Sequence, residues 1–404
     1  MKTLLLLGLL WAPTVSSGAD ASLDTLRSEA VRHLYNLDYE DADRLYRRIT
    51  EGWPDRPIGP YNRATVVWSR LARRSGGMRG SSHRGDRYWS QTTKLEPTEA
   101  ETAQFRAGVE EALTRAERLL EADPGDLDAL YYLGATQALE SGWEIVVERS
   151  YLGGYRSIRR GVNSHRRLIA EAPDHADAYA VPGAYDYGLA TLPRALRFIA
   201  RLFGVRGDLA EGLAGVRRAA YEGDRARWGA LWTWSILMQR EERYGEALAA
   251  ATLLTEAFPK NPDLALEVPS IRIAQGDFVR ARGAVERFLG RRGEGFGNYH
   301  LAAPGVAEIL YGEAWLFDEE WERAEEALTA GLAADPMPEE EAMLLFRRGN
   351  AHDGAGNRTA AIADYLAVRR NGSDGILVDW AAALMQTPWP AGAPEGSIPT
   401  PPSP

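Results

Sequence analysis

The side chains that could hold a metal or move protons near neutral pH are six histidines, His33, His83, His165, His175, His300 and His352. None stands in a paired spacing such as H-x-x-x-H, and zinc needs three or four converging ligands. No metal site is expected. Carboxylates cluster at Asp318-Glu319-Glu320 and Glu339-Glu340-Glu341. Both runs precede apolar-periodic stretches, where acid complements the positive end of a helix dipole. The chain has no cysteine, which removes thiolate nucleophiles, disulfides and thioether-linked lipid. It has no G-x-S-x-G, no phosphate-binding loop and no G-x-G-x-x-G. With no nucleophile beside a base, the chain reads as a non-enzyme without a cofactor.

Arginines and aromatics are the remaining candidates. Arg194, Arg197 and Arg201 fall at i, i+3 and i+7 on one face of a predicted helix over 191–206, with Leu196, Phe198, Ile199, Leu202 and Phe203 on the rest. Such a helix can lie on a membrane or dock a partner. The preferred reading is a helix packed in the fold with its arginines in solvent. The segment Arg70 to Gln91 carries six arginines with Tyr88 and Trp89 among glycines and serines, and reads as a basic loop. Tyrosines and tryptophans are dense between Tyr131 and Trp234.

The elements that would position these residues follow from the whole chain. It has 404 residues, 45% of them hydrophobic, and a net charge of -10. That supports a large core and argues against a general nucleic-acid binder, whose footprint is basic. Lys2, an apolar run Thr3 to Trp11, and small Ser17-Gly18-Ala19 form a secretory leader over 1–19, the apolar run being too short to span a bilayer. The expected location is the periplasm, cell envelope or medium.

Prolines at 54, 124, 173, 259 and 336 punctuate the rest. Before Pro54, Pro259 and Pro336 an aromatic (Tyr39, Tyr244, Trp321) precedes an alanine (Ala42, Ala247, Ala324) by three residues, and the proline follows that alanine by twelve. Two more copies, Gly276 to Leu289 and Gly356 to Val368, lack the proline. Upstream stand Gly134, Gly183, Gly312 and Gly349, and Gly312 to Ala324 spans the same distance as Gly349 to Ala361. A mid-helix glycine costs about 1 kcal/mol against alanine, so a close helix contact is expected at each.

This pattern resembles the tetratricopeptide repeat family, whose helix-turn-helix unit carries small residues at these two places. The resemblance is clearest from Leu231 to Val368 and extends to Leu26–Pro57; Pro182 and Pro269 depart from it. It implies an all-α right-handed solenoid over 20–380, with irregular insertions near 70–97, 141–155 and 191–206. Thr98 to Glu101 matches a capping box. Residues 381–404 read as a Pro-rich disordered tail. In the family the first helices line a concave groove. The repeat register then turns Tyr131, Tyr187, Trp232, Arg240, Ser270, Glu313, Asn350 and Asp353 toward it.

The implied function is an exported scaffold or adaptor binding a protein or peptide in the groove. Two other readings stand beside it: a glycan or small-molecule binder using the Tyr/Trp cluster as a pocket, and an envelope component docking through 191–206.

Overall fold

Paired helices can touch only where small residues let their backbones approach, and the chain supplies such residues at a fixed interval. The computed structural model describes residues 18–74, 95–202, 204–371 and 375–391; the leader up to residue 17 lies outside them. Among the described residues there are eighteen α-helices and no strand. They are α1 (Gly18–Tyr35), α2 (Tyr39–Gly52), α3 (Ile58–Arg74), α4 (Glu99–Ala122), α5 (Leu127–Val146), α6 (Tyr151–Glu171), α7 (Ala180–Ala190), α8 (Arg194–Leu202) and α9 (Leu209–Glu222). There follow α10 (Arg227–Arg240), α11 (Tyr244–Ala257), α12 (Pro262–Ala274), α13 (Phe278–Gly293), α14 (Val306–Leu316), α15 (Trp321–Leu332), α16 (Pro338–Gly354), α17 (Arg358–Asn371) and α18 (Ile376–Gln386). Seven consecutive pairs and the pair α7/α9 stack in order, and α18 covers the last pair.

The small-residue contacts are as expected. A Cβ on Gly312 would lie 2.4 Å from Leu328, and one on Gly349 would lie 2.5 Å from Tyr365. Leu328 and Tyr365 follow the fully buried Ala324 and Ala361 by one helical turn. In α5/α6 the role of the alanine falls to Gly161, and a Cβ on Gly134 would collide with the His165 ring at 2.1 Å. In α10/α11, Ser235 takes the glycine's place and its hydroxyl donates to the Ala247 carbonyl at 3.1 Å. Between paired helices the same turn recurs: Leu37, Glu242, Gly276, Glu319 and Gly356 all have left-handed φ, from 57° to 77°.

Several sequence expectations shift. The basic segment is helical through Arg74, because its first arginines find acids: Arg70–Glu40 at 2.9 Å, Arg73–Asp263 at 2.9 Å and Arg74–Glu101 at 2.8 Å. Residues 75–94, with Tyr88 and Trp89, lie outside the described ones. The extra residues near 141–155 are no insertion; they lengthen α5 and α6, and Trp143 stacks on Phe105 of α4 at 4.0 Å. The tail boundary at 381 falls inside α18, and Trp389 beyond it is buried edge-on against Trp321. The capping box forms, with Glu101 N–H donating to Thr98 Oγ1 at 3.2 Å and Thr98 N–H to Glu101 Oε2 at 2.9 Å.

Curvature brings distant repeats together. Val31 and Tyr35 of α1 pack against the α10–α11 core, and the Tyr35 ring stacks on Phe258 at 4.8 Å. Asn261 donates to the Tyr35 carbonyl at 2.6 Å, Lys260 N–H to Asn36 Oδ1 at 3.0 Å, and Asn298 to the Asn36 carbonyl at 2.7 Å. Arg27–Asp224 and Arg73–Asp263 flank this seam. The first repeat therefore locks onto the fifth and sixth.

Asn261 also caps α12 by accepting from Asp263 N–H and Leu264 N–H. Asn261→Asp keeps that cap and turns an acceptor toward the Tyr35 carbonyl. It is expected to cost about 1–3 kcal/mol and to raise the radius of gyration in small-angle scattering.

Candidate interaction surface

First helices touch the next first helix at α3–α5, α5–α7, α12–α14 and α14–α16, whereas second helices do not pack on one another to a comparable extent. First helices are thus the inner layer of the curve, and their facing side chains form its concave surface.

A polar track crosses this layer. The Tyr187 hydroxyl of α7 donates to Glu241, at the end of α10, at 2.8 Å, and the Arg240 guanidinium lies 5.6 Å from the Tyr187 ring centre. Gln239 of α10 donates to Glu267 of α12 at 3.3 Å. Arg347 of α16 donates to Glu313 of α14 at 2.8 Å and covers Phe317. Each step joins successive inner helices, and the charges run from Arg240 through the acids Glu241, Glu267 and Glu313 to Arg347.

Of the residues predicted for the groove, Tyr187, Arg240 and Glu313 belong to this track. Tyr187, Gln239, Glu267 and Arg347 are buried, as is Ser270 beside them at 4% exposed, so Arg240, Glu241 and Glu313 are the half-exposed members of the track. Trp232 is half-buried against the same α10–α11 core on which Val31 and Tyr35 of α1 pack. Three others are buried structural groups. Tyr131 meets Tyr132 edge-on and stacks on His165 and His175, with Arg225 over its ring. Asn350 accepts from the Tyr365 hydroxyl at 3.0 Å. Asp353 accepts from Arg358, from Tyr365 and from Trp389 N–H, at 2.9–3.0 Å, and so ties the C-terminal segment to α16. The repeat register does not show which inward residues a neighbouring helix covers. It also passes over Gln239, Glu241, Glu267 and Arg347; polar residues beside Arg240 and charges in the middle of apolar first helices are the available signal.

The Tyr/Trp cluster is filled core. Tyr131, Tyr132 and Trp234 are 2–4% exposed, the two tyrosines in the core shared by α1, α2, α3, α5 and α6 and Trp234 in the core around α9 to α11. Surface depressions of about 400 and 440 Å³ lie elsewhere, around Glu242–Glu246 and around Arg272–Arg280. Among the described residues no group of three or more His, Asp or Glu could hold a metal ion. No described helix is long and apolar enough to cross a membrane.

The repeated pairs, the small-residue contacts and the recurrent left-handed turn define the class: this is a tetratricopeptide-like helical repeat protein, an all-α solenoid. No protein-family model matches the sequence, and no curated protein matches it. Solved structures to which the chain is similar include the following three. Yeast Tom70 is 12% identical over 90% of this chain and 96% of its own, with a TM-score of 0.37. The human IFIT1 dimer with m7Gppp-AAAA is 14% identical over 90% and 84%, at 0.41. A tetratricopeptide repeat protein from Parabacteroides merdae is 14% identical over 80% and 98%, at 0.30.

His165 fills the notch left by Gly134. Its Nε2–H donates to the Tyr131 carbonyl at 3.1 Å. Burial lowers its pKa from 6.5 to about 4, with hydrogen bonds to the Tyr131 and Ala178 backbone and the Asp177 charge opposing and His175 assisting. Below pH 6.5 the unfolded chain takes up a proton that the folded ring refuses until about pH 4. Stability contributed here is therefore lost as pH falls through that window, on the order of 3 kcal/mol in all. His165→Gln retains a donor for the Tyr131 carbonyl and does not titrate. Urea midpoints measured from pH 7 to pH 4 are expected to fall less steeply in that variant than in the wild type.

Proposed function

We propose that the chain is a protein-interaction scaffold whose partner segment lies along the inner track from Tyr187 to Arg347. The observation that carries this reading is the track itself: side chains from four successive inner helices (α7, α10, α12 and α14), with a fifth (α16) at its end, hold charge in fixed order on one curved surface. A rigid series of donors and acceptors suits an extended chain, whose own polar groups recur at short intervals. Arg240 and Tyr187 are the residue types that anchor interfaces. Protein or peptide remains the preferred partner over nucleic acid, because the track carries three acids to two arginines and the chain is acidic overall.

The test is retention of partners by the wild type and by Arg240→Ala with Glu313→Ala, both checked for equal helicity by circular dichroism. Loss of a retained protein by at least about tenfold, as expected for a hot-spot pair, supports the track. Equal retention by both would move the interaction off this surface.

We further propose that the scaffold acts outside the cytoplasm. Lys2, the apolar run Thr3 to Trp11 and the small residues Ser17 to Ala19 support export. Mass spectrometry of the chain recovered from an expressing cell is expected to give an N-terminus at or near Asp20 in the exported fraction. An intact Met1 there would contradict cleavage.

A further inference from the structure

The helix α8 departs from the rest of the stack. Every other helix packs along a neighbour, but no helix packs along α8. The chain leaves α7 at Ala190 and returns at Gly207, whose backbone lies so close to α7 that a Cβ there would sit 2.3 Å from the Asp186 carbonyl oxygen and 2.6 Å from Ala190 N. Residues 191–206 are thus a finger with both ends pinned at one point. The pair α7/α9 closes beneath it through Gly183, Gly212 and Gly215.

The finger is apolar where it should be wet. Among the described residues, seven large apolar side chains are at least half exposed, and five belong to this end of the molecule: Leu196 (50%), Phe198 (64%), Leu202 (69%), Tyr151 (62%) and Leu152 (62%). Tyr151 and Leu152 open α6, which runs antiparallel to α7 and so begins at the end of the stack where α7 finishes; Tyr155 of α6 faces Tyr185 of α7. Monomeric proteins rarely leave such residues grouped in water without use.

Charge identifies the occupant. Residues 187–207 hold four arginines and no acid, in a chain of net charge -10. Arg194, Arg201 and Arg206 are exposed and form no ion pair among the described residues; Arg197 turns back to the Ala190 carbonyl at 2.7 Å and holds the finger at its root. Arg194, Arg197 and Arg201 form one stripe of α8; Leu196 lies away from it, Leu202 lies at its flank and Phe198 borders it, one turn after Arg194. A short helix with arginines in one stripe and bulky apolar residues beside and away from it matches a bilayer interface, apolar residues toward the acyl chains and guanidinium groups among the phosphates.

We propose that α8 docks the protein on an anionic lipid surface, with Tyr151 and Leu152 at its side. Each arginine near a negative surface multiplies partitioning by roughly fivefold. The proposal is independent of the inner track and of its partner.

The absence of cysteine gives a direct test. Leu202→Cys in the full chain, labelled with an environment-sensitive fluorophore, is mixed with vesicles of equal parts phosphatidylglycerol and phosphatidylcholine. The label is expected to shift to the blue and to be quenched by nitroxide placed in the acyl chains. Because the label reports on position 202 alone, binding through the apolar run Thr3 to Trp11 does not imitate the result. Arg194→Gln with Arg201→Gln and Arg206→Gln is expected to weaken the response by about 100-fold, and added salt to weaken it too. Since α8 packs on no other helix, these variants leave the fold intact, as circular dichroism would verify. Three results would each overturn the proposal: no response to the vesicles, an equal response to pure phosphatidylcholine, or a shift without vesicles that grows with protein concentration, which would assign the face to a second copy.

Discussion

The seam between the first repeat and the fifth and sixth is the constraint on which the shape depends. A solenoid whose units touch only their neighbours can flex along its length. Here Tyr35, Asn36, Asn261 and Asn298 join segments more than 200 positions apart. The contacts are mostly amide to backbone, and they satisfy carbonyls at the end of α1 that its own helix leaves unbonded. Once the seam closes, α1 occupies the inside of the turn. That is why Tyr131 and Trp232, inward-facing by register, meet side chains of the same protein, and why the accessible part of the inner layer is displaced toward α10 to α16.

The repeat itself was legible because it is local. A glycine or serine, an alanine twelve positions later and an aromatic three positions before that alanine encode a helix crossing, and each can be checked within a window of about 20 residues. Gly161, in place of the alanine, keeps the spacing to its proline, Pro173, but lies 27 positions after Gly134 and has Ile158 where the aromatic stands in other units, so the local pattern does not reveal it. What could not be read was everything set by curvature. Whether an inward residue is wet or buried depends on how tightly the superhelix winds, and that is decided by small rotations summed over several pairs. Asp353 illustrates it: the register turns it toward the groove, but Arg358, Tyr365 and Trp389 converge on its carboxylate from later in the chain. The boundary at 381 failed for a related reason, since proline and glycine enrichment begins near Pro388 whereas α18 and Trp389 are held by contacts with α16 and α15.

Arginine is the second theme of the stack. Lys2, Lys94 and Lys260 are the three lysines, so 44 of the 47 basic residues are arginine. A planar fork of five donors can bond carbonyls and a carboxylate at once, which an ammonium group does less well. Arg115 of α4 donates to the Arg56 carbonyl and to Glu111; Arg282 of α13 reaches the Ala314 carbonyl and Asp318; Arg358 of α17 reaches the Leu384 and Met385 carbonyls at the end of α18 as well as Asp353. In each case one repeat completes the open carbonyl end or turn of another. Neighbouring pairs are thereby fastened at their edges as well as through apolar faces.

Against this background the arginines of α8 stand out by having nothing to fasten. Many arginines elsewhere turn inward to an acid or a helix end, as Arg115, Arg282 and Arg358 do; in the finger only Arg197 does so, and it does so at the root. Thr191, where the finger leaves α7, donates to the carbonyl of Tyr187, the residue whose hydroxyl begins the inner track. The exposed basic helix and the concave surface therefore share one rigid origin, a single turn of α7. A surface that holds the finger fixes, through that turn and the closed seam, the direction in which the inner track faces. The fold thus needs no hinge to present one side to a boundary and another to a partner, because the glycine-packed α7/α9 pair sets the angle between them.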